Sequence, residues 1–173
     1  MPHRSATRVH LTGMSGTGKS TTLQELARRG WTAIDTDEGD WLVPDTDGEM
    51  IWDAEQVRRL LEDQPHGDRL VIAGTVRNQG HFREQFDAVV LLTAPLPVML
   101  DRVSRRTTNP YGSTDAQRDE IRANTREVLP VLRARPDLVL DTSVLSPSAV
   151  ADAIEAATSR HDELAPPVPT DPV

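Results

Sequence analysis

Eight consecutive residues, Gly13-Met14-Ser15-Gly16-Thr17-Gly18-Lys19-Ser20, carry the densest chemistry in the chain. They fit the pattern G-x-x-x-x-G-K-[ST] without deviation, behind an apolar run and ahead of a helical pattern starting at Thr21. Glycines at such spacing let the backbone curl until several N–H groups face one phosphate chain. The helix that follows adds a partial positive charge at its N-terminus. An ammonium at position 19 reaches the β- and γ-phosphates, and a hydroxyl at position 20 ligates Mg²⁺. The expected contacts of a nucleoside triphosphate such as ATP are therefore Gly13, Ser15, Gly16, Thr17, Gly18, Lys19, Ser20 and Thr21. Lys19 is also the only lysine beside 18 arginines. A chain that uses arginine everywhere else keeps lysine where a compact ammonium is required.

A second group of chemical residues is Asp35-Thr36-Asp37, directly after the apolar run Trp31-Thr32-Ala33-Ile34. In a parallel sheet the carboxyl ends of neighbouring strands open on one crevice, which puts these carboxylates beside the glycine-rich loop. Asp35 is expected to hold Mg²⁺ through water, together with Ser20. Asp37 is expected to take the proton of a substrate hydroxyl as a general base. The two later apolar runs end in Ala73-Gly74-Thr75 and Leu92-Thr93-Ala94, without a carboxylate, which leaves Asp35 as the nearest acid for the metal.

Strands must hold these groups in place. Five runs read as buried strands: Arg8–Thr12, Trp31–Ile34, Arg69–Ala73, Ala88–Leu92 and Leu138–Leu140. Helical patterns separate them. Asp53-x-x-Gln56 and Thr114-x-x-Gln117 read as capping boxes, Ser146-Pro147 as a helix start, and Gly30 as a helix end. Strand–helix alternation predicts a three-layer α/β fold, a five-stranded parallel sheet flanked by helices. One domain over residues 1–160 and a disordered proline-rich tail over 161–173 account for the 173 residues.

Composition excludes several classes. A net charge of −8 opposes nucleic acid as the main partner. No apolar run approaches the length of a membrane span. The absence of cysteine removes disulfides, thiolate metal sites and cysteine nucleophiles. His3, His10, His66, His81 and His161 lack metal-ligand spacing. The chain reads as cytoplasmic and leaderless, a monomer or homodimer.

The loop, the Asp-x-Asp, the segment Leu92-Thr93-Ala94-Pro95 and the helix Leu100-x-Arg102-x-x-x-Arg106 together resemble the small P-loop kinases. That group includes shikimate, gluconate and adenylate kinases, and its members are often labelled AAA-family ATPases. The resemblance covers about residues 8–158 and implies the P-loop NTPase fold, MgATP, one small-molecule acceptor and a small lid near 105–115. It implies Arg102 near the adenine, Arg106 on the transferring phosphate, and Arg77, after the third run, as an anchor for the acceptor. Around residues 141–143 it implies a base-binding edge made of backbone groups. Shikimate kinases carry a triple-glycine run where this chain has only Gly74, so shikimate is not the expected acceptor.

The stretch from Trp31 to Gln56 holds nine acidic side chains, no basic one and all three tryptophans. An acidic wall repels an anionic acceptor and tolerates a neutral or cationic one. Trp41 is the tryptophan expected to offer it a flat or cation–π surface. The expected activity is thus an ATP-dependent kinase acting on a hydroxyl of a nucleoside, sugar or amine-bearing metabolite, with Lys19, Asp37 and Arg106 catalytic. A nucleoside monophosphate kinase, a nucleotide-dependent switch ATPase and a binding module without turnover stand as alternatives.

Overall fold

The computed structural model describes residues 6–107 and 109–164. All five expected runs form one parallel sheet. The strands are β1 (Thr7–Thr12), β2 (Thr32–Asp35), β5 (Arg69–Ala73), β6 (Ala88–Thr93) and β7 (Leu138–Asp141), in spatial order β2-β5-β1-β6-β7. β1 lies at the centre because its side chains are buried on both faces, as a strand covered by helices on each side requires. Side chains alternate between two cores. Val9, Leu11, Val71, Ala73, Val90 and Leu92 face one way, while Leu70, Ile72 and Val89 face the other.

The first face is covered by α1 (Lys19–Arg28), which brings Leu23 and Leu26, and by α5 (Pro147–Leu164), which brings Val150, Ala151 and Ile154. The second face is covered by α2 (Ala54–Glu62) through Val57 and Leu61, and by a 3₁₀ turn (Gln79–Gln85) through Phe82. Met99 of α3 (Leu96–Arg105) and Leu132 of α4 (Asp115–Leu132) close it against Leu91 and Met14. Each such side chain, fully buried, contributes about 1.5–3 kcal/mol.

Helix ends follow the sequence signals. Asp53 accepts from the N–H groups of Glu55 and Gln56, and Thr114 and Gln117 complete a reciprocal capping box. Ser146 Oγ accepts from Ala149 N at 3.1 Å. Gly30, with φ of 84°, ends α1, and Trp31 N reaches back to Leu26 O at 3.1 Å. Helix α5 continues to Leu164, past the boundary expected at residue 160, and the rest of the expected tail lies outside the described residues.

The acidic stretch holds an element the sequence reading left out, an antiparallel hairpin of β3 (Leu42–Pro44) and β4 (Met50–Trp52). Its turn is built on Asp45, whose Oδ1 accepts from Asp47 N at 2.8 Å and Glu49 N at 3.0 Å. Gly48 supplies the positive φ of the turn, 82°.

Candidate active site

The glycine-rich loop joins the carboxyl end of β1 to α1, at the middle of the sheet. Its glycines are forced by contact as much as by dihedral angle. A Cβ on Gly13 would stand 2.6 Å from Leu92 O, and one on Gly16 2.6 Å from Met99 O. The loop's carbonyls find partners from four directions. Lys19 Nζ donates to Gly13 O at 2.7 Å and Met14 O at 3.3 Å. Thr75, just after β5, donates to Gly13 O at 2.9 Å and accepts from Gly13 N at 3.1 Å. Arg102 Nη1 donates to Gly16 O at 3.1 Å, and Thr142 Oγ1 donates to Thr17 O at 2.8 Å.

Strand β2 ends one residue later than the apolar run suggested, with Asp35 in register opposite Ala73. This brings the carboxylate to the loop, where Ser20 Oγ donates to Asp35 Oδ2 at 3.1 Å. The other oxygen of Asp35 accepts from Asp37 N at 3.1 Å. Ser20 and Asp35, expected to share a metal, therefore do meet. Asp37 is exposed, and its charge is felt by both Lys19 and Arg106. Burial pulls the Lys19 ammonium below the usual lysine pKa, Asp37 and Asp35 oppose that pull, and Arg106 adds to it. Burial likewise lowers Arg106, against the charge of Asp37. Two cations and two carboxylates thus converge beside the loop.

Arg106 caps the end of α3 and donates through Nη2 to Tyr111 O at 2.6 Å, while its buried Nε has no acceptor among the described residues. Arg102 lies one turn earlier and is committed differently. Besides Gly16 O, it donates to Thr142 Oγ1 and to Thr142 O, both at 2.8 Å. Both terminal nitrogens of Arg102 are thus committed to protein oxygens rather than open to a base.

The acceptor side departs further from expectation. Arg77 is not a free anion anchor. Its Nη2 pairs with Asp45 Oδ2 at 3.0 Å and Asp47 Oδ2 at 2.9 Å, fixing the hairpin turn to the loop after β5. The Asn78 side chain brackets the backbone of Trp52, donating to its carbonyl at 2.9 Å and accepting from its N–H at 3.0 Å. Of the three tryptophans, Trp52 is wholly buried, and Trp31 sits at the opposite pole with its Nε1 on Glu155. Only Trp41 is half-buried, leaning on the Trp52 cluster and towards Gly39.

Beneath the crevice lies a buried polar chain that the sequence did not disclose. Trp52 Nε1 donates to Thr36 Oγ1 at 2.9 Å, Thr36 Oγ1 donates to Ala73 O at 2.9 Å, and His10 Nε2 bonds Gly74 O at 2.9 Å. These bonds join residues 16 to 64 positions apart, so no local motif announces them.

Two hollows flank this arrangement. One of about 230 Å³ is lined by Ser20, Asp35, Glu38, Gln24 and the apolar side chains of α1 and β2, and adjoins the Ser20–Asp35 pair. A larger one, about 330 Å³, lies at the amino ends of the strands around Thr7, Trp31, Arg69 and Glu155. The larger is not the active site, because parallel sheets bind ligands at their carboxyl ends, where the loop and both acids are.

The family model described as an AAA domain matches residues 9–123, which include the loop, Asp35, Asp37, Arg77, Arg102 and Arg106. The chain belongs to the AAA-domain family. No curated protein matches the sequence closely. Among solved structures, this AAA-domain chain is similar to shikimate kinase from Acinetobacter baumannii in complex with shikimate. That match has TM-score 0.62 and 19% identity, covering 88% of this chain and 92% of the other. It is also similar to shikimate kinase from Bacteroides thetaiotaomicron, with TM-score 0.55 and 18% identity over 91% and 97%. At these identities the likeness establishes the fold alone, a parallel sheet flanked by helices. The AAA-domain match stops before β7, so the segment after β7, with Thr142, lies outside it.

Proposed function

We propose that this protein is a kinase that moves the γ-phosphoryl group of MgATP to a hydroxyl of a small neutral or cationic metabolite. The observation that carries the reading is the bond from Ser20 of the loop to Asp35, which places the Asp-x-Asp segment at the mouth of a phosphate-binding loop. The pair suits Mg²⁺: two hard oxygen donors side by side, with other positions left to water and phosphate oxygens. Once bound, Mg²⁺ would neutralise charge on the phosphates.

The residues then divide the work. Asp37 takes the proton of the acceptor hydroxyl as its oxygen forms a bond to the γ-phosphorus. The bond from that phosphorus to the β-phosphate oxygen breaks, and ADP leaves with the electron pair. Lys19 and Arg106 offset the negative charge spread over the equatorial oxygens. A phosphate oxygen would give the Arg106 Nε its missing acceptor. The segment near 105–115 is the proposed lid, and Arg102 remains on the adenine side. The Arg77 pairing with Asp45 and Asp47 supports an acceptor without strong negative charge, since the cation nearest that side is already balanced by two carboxylates. It weighs against a nucleoside monophosphate acceptor.

The test is ADP release from MgATP against pools of nucleosides, nucleoside monophosphates, sugars, hydroxy acids and amines, with Lys19→Ala as the blank. One pool is expected to raise turnover well above that blank. Asp37→Asn should lower transfer by about 100-fold or more while sparing ATP binding. Unchanged transfer in Asp37→Asn would remove that residue as the base. Hydrolysis indifferent to every pool would point to a switch ATPase instead.

A further inference from the structure

A loop that binds phosphate through its N–H groups turns its carbonyls away from the ligand, and those carbonyls need partners of their own. Besides Gly13 O, which Thr75 serves, two more are served from beyond the loop's own strand and helix. Thr17 O is held by the Thr142 hydroxyl, and Gly16 O by the Arg102 guanidinium. Thr142 also joins these two holders, because its hydroxyl accepts from Arg102 Nη1 at 2.8 Å while donating to Thr17 O at 2.8 Å. Its own backbone is fixed at both ends of the peptide. Thr142 N donates to Thr93 O at 2.9 Å, and Thr142 O accepts from Arg102 Nη2. A hydroxyl has one proton to give, and of its two acceptors Thr17 O at 2.8 Å is nearer than Thr93 O at 3.3 Å, while its acceptor capacity goes to Arg102.

The geometry points to Thr142 as a positioning residue for the phosphate loop, acting from behind it, with Arg102 as its partner. The pair fixes the peptide planes at Gly16 and Thr17 and thereby aims the N–H groups on the ligand side. The loop passes close to α3 here, since a Cβ on Gly16 would stand 2.6 Å from Met99 O. Arg102 on this view serves the phosphates through the loop rather than the base by contact. The inference rests on the phosphate-loop half of the proposed function, and not on the acceptor or on Asp37.

Thr142→Val removes the hydroxyl at nearly constant volume, and Thr142→Ser retains it. Affinity is measured by calorimetry for MgATP and, separately, for magnesium tripolyphosphate, which has no base. Thr142→Val is expected to weaken both ligands by about tenfold, the usual cost of leaving a buried partner unsatisfied. Thr142→Ser should bind both like the wild type. Equal binding by Thr142→Val and wild type would overturn the inference. So would a loss confined to MgATP, which would make this a base contact instead. If Thr142→Val fails to fold, Arg102→Gln carries the test with the same two ligands and the same expected parallel loss. A wild-type protein that binds MgATP yet phosphorylates nothing would sink the kinase reading and leave this comparison intact.

Discussion

Single residues show where the sequence is transparent and where it is closed. Lys19, Ser20, Asp35 and Asp37 stand out because each belongs to a short pattern whose chemistry needs that residue type at that place, and the fold brings Ser20 to Asp35. Gly74 does not stand out. In the sequence it is only a solitary glycine after a strand. In the fold, a Cβ there would lie 2.2 Å from Thr36 Oγ1 and 3.2 Å from Trp52 Nε1. Gly74→Ala should therefore destabilise the protein by about 1–3 kcal/mol, the usual range for overpacking a tight interior. Urea unfolding would read this as a lower midpoint with an unchanged slope. An unaltered midpoint would mean that Thr36 and Trp52 can shift without loss. Arg77 teaches a related lesson. Its type and place suggested an anion site, but its charge is answered by Asp45 and Asp47, 30 or more positions upstream.

Elements were legible where periodicity and end signals agreed. Five apolar runs gave five strands, and the caps at Asp53, Thr114 and Ser146 all formed. The hairpin of β3 and β4 is faint in the sequence although Asp47-Gly48 is a turn signal between short apolar runs. Its strands are three residues each, and the surrounding acidity dominated the composition. The cap of α4 has more than local weight. The same Gln117 side chain that completes the box also accepts from Gly112 N at 2.9 Å, so the helix start is tied to the segment that carries Arg106. Thr114→Ala is expected to cost about 1 kcal/mol. Hydrogen exchange should show faster opening at the start of α4, while β1 and β5 keep their protection. Loss of protection across the sheet would contradict a cap of local effect.

At the scale of the whole molecule, His10 couples stability to acidity. Burial holds its pKa down at about 4, with a smaller push from Arg83, while its bond to Gly74 O works the other way. An unfolded histidine titrates near 6.5. The folded state resists the proton, so the stability contributed by neutral His10 is full above about pH 6.5. It is lost as pH falls towards 4. By linkage the loss is about 2 kcal/mol at pH 5. Denaturant midpoints at pH 7.5 and pH 5 would measure it, and His10→Phe should flatten that part of the profile. An equal slope in the variant would assign the effect to other groups. The overall architecture was readable because one sheet order satisfies all five runs at once. The cross-links under the crevice were not, because they depend on which strands become neighbours. The β3–β4 ribbon forms its own two-stranded sheet and shares no ladder with the five-stranded one. Its turn can therefore lengthen without disturbing the register of the strands that present the glycine-rich loop, as long as Trp52 keeps its bonds to Thr36 and Asn78. On the proposed function, descendants of this chain could inherit an unchanged phosphate loop while the ribbon beside it diversifies.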